Sequence, residues 1–472
     1  MERFSEIPFS SDAKYMATLH INEESGRPIA YVKGAPDRII EFCSYVLMNG
    51  KPVELNDSLR KEIEKTIEDF ASKALRVMAG AYKEFENKGK LERSDVEEGL
   101  IFAGLWGMID PPREESIEAV KNAKEAGVKP VMITGDHAVT ALAIAKKVGI
   151  IDNGKVITGK EIDEMENPAL AKAALKYGVF ARVTPAHKLK ILKSLKEQGH
   201  IVAMTGDGVN DAPALKGADI GIAMGIAGTE VAKEASDMIL LDDNFATIVK
   251  AIEEGRRIYD NLRRVVFYLI STNLGEILTF MTALTLGLGL PLTPVMVLWV
   301  NLITDGACTI PLGVEPAHKD ILKRPPRDPK EFIINRVVLV RMALLTPIMA
   351  AGTLGLFWFT KQSGSLEYAR TVAFTTLAAF QWFQALNARS TFNSIFSVGL
   401  FTNRWVLLGI GIAIILQIGV VYTSIGQMLF GTTSLTIENW LLIILVASSI
   451  WVADELYKLM GIYKLFAKSV KG

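Results

Sequence analysis

Two carboxylates, Asp207 and Asp211, stand four residues apart in the run TGDGVNDAPALKGADIGIAMG at 205–225, with Asn210 between them. Hard cations such as Mg²⁺ take one or two carboxylates together with phosphate oxygens and waters. The spacing therefore suits a Mg²⁺–phosphate site, and Gly206 and Gly208 leave room for backbone close to a phosphate. The apolar residues 201–204 just upstream predict a buried parallel strand. Ligands of open α/β sheets bind beyond the carboxyl ends of such strands. A plain Asp/Asn/Gly turn accounts for TGDG or NDAP singly, but not for the whole run.

A second set of oxygen-bearing side chains lies in apolar surroundings. Asn273 and Glu276 are three residues apart, and Asn301, Thr304 and Asp305 are spaced i, i+3 and i+4. Each set falls on one helical face. A carboxylate at mid-bilayer depth is costly and marks an ion path. Five oxygen-bearing side chains on two facing helices suit a hard cation such as Ca²⁺; a structural polar knot is the alternative. Ser271, Thr272 and Asn387 are expected to be packing groups.

Charge patterning shows what must position these residues. The 472-residue chain is 50% hydrophobic, and Lys+Arg and Asp+Glu are both 52, which makes no case for a nucleic-acid partner. Cys43 and Cys308 form no disulfide framework, the five histidines have no metal-ligand spacing, and the polar N-terminus is no signal peptide. Up to about residue 264 the chain is charged and mixed. Beyond it come six apolar segments of bilayer-spanning length, near 265–287, 294–313, 337–359, 371–388, 404–423 and 440–459. Arg256, Arg257, Arg263 and Arg264 precede the first, and Lys and Arg crowd the loop after the second and the tail after the last. By the positive-inside rule the soluble half and the C-terminus share the cytoplasmic side.

The soluble half divides at Asp110-Pro111-Pro112-Arg113, a stiff extended link. Before it, 1–109 reads as a small α+β unit with a strand at 29–32 and a helix opening at Pro36. After it, 110–243 reads as βα repeats. Thr134-Gly135-Asp136 follows one strand, and Arg182 ends another. Thr184-Pro185 then opens a helix carrying Lys188 in its first turns. A helix N-terminus with an ammonium group is an anion site. From 244 to 286 one continuous helix is expected to lead into the membrane portion, 244–472.

KGAPD, DPPR, MITGD, FARVTPAHK and TGDGVNDAPALKGADIGIAMG occur here in the order seen in P-type cation-transporting ATPases, which the chain closely resembles. The membrane residues Asn273 to Glu276 and Asn301 to Gly306 resemble the calcium-pump branch. The resemblance implies a multidomain α/β plus membrane α protein: a partial nucleotide-binding domain, a haloacid-dehalogenase-like (Rossmann-type) phosphorylation domain and a six-helix transmembrane bundle. Asp207 would hold the catalytic Mg²⁺, with Asp211 closing the site. Thr134, Gly135 and Asp136 would lie beside the transferred phosphoryl group and the nucleotide. Lys188 would neutralise the γ-phosphate of ATP, and Arg182 and Asn210 would contact the nucleotide. Phe9 would stack on adenine, Lys14 and Lys33 would line its pocket, and Arg76 would reach the phosphates. Asn273, Glu276, Asn301, Thr304, Asp305 and Gln381 would line the path of the transported cation, Ca²⁺ ahead of Mn²⁺ or Na⁺.

Three departures qualify the resemblance. Ser11 stands where the family has an Arg, which implies weaker nucleotide affinity. Gln381 stands where two-site calcium pumps carry a Glu. The family's phosphorylated DKTGT sequence, its actuator loop and its first four spans do not occur in these 472 residues. The expectation is therefore the C-terminal portion of a Ca²⁺-exporting pump of the plasma membrane, working through an aspartyl-phosphate and inactive without a separate N-terminal half. The alternative is a non-enzymatic subunit or regulator that binds nucleotide and cation.

Overall fold

The computed structural model describes residues 3–467 apart from 11, 12, 24, 74, 109–111, 153 and 319. Ser11, Asp110 and Pro111 thus lie outside the described residues. The chain forms two compact units, Met1–Val249 and Lys250–Gly472.

The first unit opens with seven strands: β1 Arg3–Ile7, β2 Tyr15–Ile21, β3 Pro28–Gly34, β4 Cys43–Met48, β5 Lys51–Glu54, β6 Arg76–Glu84 and β7 Leu100–Met108. They form one sheet in the order β1-β2-β3-β6-β7-β4-β5. Alternation along β2 buries Tyr15, Ala17 and Leu19 on one face, where they meet Ile39, Ile40 and Phe42 beneath the sheet. Ile39, Ile40 and Phe42 come from the helix Pro36–Phe42, with Pro in its first turn as expected.

The following stretch carries β8 Met132–Ile133, β9 Ile157–Thr158, β10 Val179–Ala181, β11 Ala203–Gly206, β12 Ile220–Met224 and β13 Met238–Leu240. All their pairings are parallel. The β11 strand sits two residues later than its apolar run predicts. Val202 donates its N–H to the Asp219 carboxylate (2.8 Å), outside the ladder, and pairing begins at Ala203↔Ile220. The strands form two separate sheets, β8-β10-β9 and β11-β12-β13. The edge strands β8 and β11 come together only through side chains, with Ile133 packed on the cluster of Met204, Ala214 and Leu215.

Beyond these, the 41-residue helix Phe245–Thr285 is unbroken. Five helices among the described residues are long and apolar enough to cross a membrane: Phe245–Thr285, Pro294–Leu312, Arg336–Gln362, Arg404–Tyr422 and Ile437–Leu459. The sixth expected span is a 23-residue helix, Leu366–Ala388, that falls outside these five. It carries Thr371, Thr375, Thr376, Gln381, Gln384 and Asn387, all buried. Surrounded by protein, it needs no lipid-facing apolar surface. Its Ala373, Phe374, Leu377 and Phe380 lie in the core of the bundle with Phe267, Tyr268, Met342, Leu345 and Ile443.

Candidate functional sites

Phe9, Lys14, Lys33 and Arg76 all lie at one end of the seven-stranded sheet. Tyr15 pairs with Gly34 and Gly34 with Ala79, so the residues flanking these positions share that end. Lys14 has φ 60°, and its carbonyl accepts the Ala35 N–H at 2.9 Å. A Cβ at Gly34 would lie 2.5 Å from that same carbonyl, which explains the glycine. Phe9 is 62% exposed. Trp106 was not foreseen. Its indole lies on Gly80, the cross-strand partner of Lys33, where a Cβ would come within 2.3 Å of the ring. The sequence offered only the Trp106-Gly107 pair as a signal.

At the ends of the parallel strands, the Thr134 hydroxyl donates to Asp136 (2.9 Å) and accepts the Asp136 N–H (3.1 Å). The Arg182 N–H donates to the Asp136 carbonyl and the Val183 N–H to the Thr134 carbonyl, at 3.0 and 3.1 Å. These bonds zip the two loops together. They also hold Arg182 at φ 52°, a left-handed conformation that is costly for a non-glycine residue and clusters at functional sites. Nothing lies within 4 Å of where a Gly135 Cβ would stand, so its absence leaves open space there. Thr184 caps the helix Pro185–Glu197 by accepting the His187 N–H, as its position predicts.

That helix delivers Lys188, whose ammonium donates to Asp211 Oδ1 at 2.5 Å. The other Asp211 oxygen accepts the N–H groups of Asp207 and Gly208, both at 3.3 Å. Burial alone would raise the Asp211 carboxyl, but Lys188 and these N–H groups hold it below its ordinary value. Gly206 makes room for Asp211 and not, as its neighbours suggested, for a phosphate: a Cβ there would lie 2.5 Å from that of Asp211. Asp207 and Asn210 are exposed. The Asp207 carboxylate has no partner among the described residues, while its carbonyl accepts the Thr229 N–H at 2.8 Å. Asp207 is thus an exposed, unpaired oxygen donor of the kind Mg²⁺ would take, while Asp211 is the anion that organises the turn.

In the second unit, Pro294–Leu312 is interrupted by a π-helical turn at Val300–Thr304. The Asp305 N–H donates to the Val300 carbonyl across it. Such turns are frequent at functional sites because they re-aim side chains. The Asn301 amide donates to Glu276 (3.0 Å), and the Gln381 amide donates to the other oxygen of Glu276 (3.1 Å). Three helices thus converge on one carboxylate. Thr304 and Asp305 are both 2% exposed, and Tyr268 and Thr272 lie close to Asp305. Asp305 Oδ1 and Gln381 Oε1 are buried without a hydrogen-bond partner. Asn273 is not brought in: its amide donates back to the Leu269 carbonyl at 2.6 Å. Ser271 and Asn387 serve packing as expected, bonding Gln384 at 2.8 and 3.0 Å. Tyr268, one helical turn before Thr272, was missed.

A parallel α/β region and a unit of long apolar helices in one chain define a multi-pass membrane protein. Three family descriptions match the chain in order: P-type ATPase cytoplasmic domain N at 1–115, haloacid dehalogenase-like hydrolase at 185–252, and cation transporting ATPase C-terminus at 289–460. Calcium-transporting ATPase 1 of Bacillus cereus is 42% identical over 97% of this chain and 53% of its own length. Cation-transporting ATPase pma1 of Synechocystis is 43% identical over 94% and 50%, and calcium-transporting ATPase type 2C member 2 of the rat 40% over 97% and 48%. The chain belongs to the P-type cation-transporting ATPases. It spans about half the length of the curated relatives it matches.

Proposed function

We propose that the chain supplies the nucleotide-side and membrane portions of an ATP-driven pump that exports Ca²⁺ from the cytoplasm through an aspartyl-phosphate. The observation that carries this is the convergence of Asn301 and Gln381 on Glu276, beside Asp305 with an unpartnered buried oxygen. Buried polar atoms are ordinarily satisfied, so unpartnered oxygens in a carboxylate-bearing cluster are open ligand positions. The relatives named calcium-transporting favour Ca²⁺ over Mn²⁺ and Na⁺, and the basic residues flanking the spans favour a cytoplasmic soluble half.

In this function Phe9, Lys14, Lys33 and Arg76 hold the nucleotide, with Arg182 and Asn210 at its phosphate side. Thr134, Gly135 and Asp136 position the transferred group, and Lys188 offsets its charge. Mg²⁺, held by Asp207, supplies charge neutralisation of the phosphate oxygens when bound. In this reading the acceptor aspartate belongs to a DKTGT sequence, which these 472 residues do not contain. The unpaired edges of β8 and β11 support a place for one further strand between the two sheets.

The test is ATP-dependent ⁴⁵Ca uptake into vesicles holding this chain together with the N-terminal half of its Bacillus relative. Uptake abolished by Asp305→Asn is expected. ATP hydrolysis without any Ca²⁺ stimulation or uptake would overturn the Ca²⁺ assignment.

A further inference from the structure

At the foot of the first apolar stretch, the second unit contains a cavity of about 60 Å³ lined by Asp260, Arg263, Arg264, His318, Arg324 and the loop 390–393. That is room for a few waters or one small oxyanion. Its wall carries three guanidinium groups against one carboxylate.

The ion pairing around it is incomplete at one residue. Arg324 takes Asp260 (3.1 Å) and Asp320 (2.9 Å), and Arg263 takes Glu331 (3.6 Å). Glu315, the other carboxylate within electrostatic reach of Arg264, is held by Arg389 (2.8 Å) and Asn403 (2.7 Å). Arg264 is only 6% exposed, yet among the described residues it pairs with no carboxylate and bonds only the Asn261 side-chain oxygen. Buried charges are as a rule paired. A second group points the same way: His318 Nε2 is buried with no hydrogen-bond partner. Ser390, Thr391 and Asn393 add hydroxyl and amide groups to the wall. The charge of the cavity wall is left unbalanced toward positive.

Position suggests where a balancing anion comes from. Arg263 and Arg264 immediately precede the apolar run that begins at Val265. Basic residues flanking a span lie at headgroup level and attract acidic lipids. Guanidinium groups match phosphate oxygens in geometry as well as charge. We propose that this cavity holds one phosphoryl anion, carried by an acidic phospholipid headgroup or present as free phosphate.

The test uses the whole chain, purified in neutral detergent with EDTA so that no Mg²⁺ assists phosphate at Asp207. One arm adds phosphatidic acid or phosphatidylcholine and counts retained lipid by native mass spectrometry. The other measures ³²P-phosphate by equilibrium dialysis. One phosphatidic acid per chain above the phosphatidylcholine background is expected, with binding about tenfold weaker in Arg264→Gln, the size of one lost charge-assisted bond. Retention unaffected by millimolar phosphate assigns the site to lipid. Phosphate binding with the same dependence on Arg264 assigns it to the free ion. Arg263→Gln, at a side chain 18% exposed, should also weaken binding and decides the matter if Arg264→Gln does not fold. Binding of neither probe to the wild type, or equal binding in wild type and variants, overturns the proposal.

Discussion

Lys188 Nζ lies 2.5 Å from Asp211 Oδ1, joining the helix that follows β10 to the turn that follows β11. The two residues are 23 apart in sequence and follow strands of different sheets. Their pairing brings the loops after both strands to a common point, and it leaves Asp207 as the turn's free carboxylate. In the reconstituted pump, Asp207→Asn should lower phosphoenzyme formation about a hundredfold or more, the scale of losing one charge-stabilising group. Bound ⁴⁵Ca should remain measurable. Turnover within a few-fold of wild type would remove Asp207 from the ligand set.

The chain by itself should form no acid-stable phosphoenzyme from labelled ATP and show no cation-stimulated hydrolysis. The carboxylates of its phosphoryl-side turn are Asp207 and Asp211, and Asp211 is enclosed by Lys188 and two backbone N–H groups. Acid-stable label on purified chain would show that a carboxylate within these residues is the acceptor.

The pH dependence of the 207–211 turn follows from the Asp211 carboxyl, held below its ordinary 3.8. A carboxyl depressed in the folded state contributes order that is complete above 3.8 and is lost as pH falls through the lowered value. Hydrogen exchange at the Asp207 and Gly208 amides should therefore stay slow at mildly acidic pH and accelerate only below 3.8. In Asp211→Asn these amides should exchange faster at neutral pH.

One Ca²⁺ per ATP is expected. Glu276 and Asp305 are the carboxylates of the membrane cluster, and Gln381 gives Glu276 an amide N–H at 3.1 Å where a carboxylate would have added charge. Two divalent ions would leave uncompensated charge at membrane depth, where even one costs about 2.5–3.5 kcal/mol. Equilibrium ⁴⁵Ca binding to the complete pump should saturate near one, and Gln381→Glu should raise affinity or stoichiometry. A wild-type value near two with strong cooperativity would sink the single-site claim.

Arg389 and Glu315 are 0% and 1% exposed and form a bidentate pair completed by Asn403. Removing one partner from such a buried pair costs about 3–5 kcal/mol. Glu315→Gln should lower the thermal midpoint of the detergent-solubilised chain clearly more than Glu438→Gln, a change at the first turn of the helix Ile437–Leu459.

Much of the molecule was legible in the sequence because local rules govern it. The strand at 29–32, the cap at Thr184, the proline-led helix at Pro36 and the apolar spans each depend on neighbours a few residues away. The chemical types in 205–211 and in the two membrane helices were equally plain. What tertiary structure decided were the pairings across long separations, which no local pattern encodes. Asp211 closes on Lys188, so Gly206 serves that side chain and Asp207 is left free. A π-helical turn sets Asp305, while Asn273 turns back onto its own helix because Leu269 offers a nearby carbonyl. The span at 371–388 was read from the sequence, but only the tertiary structure buries its polar residues Thr371, Gln381, Gln384 and Asn387 at the centre of the bundle. There protein, and not lipid, is its solvent.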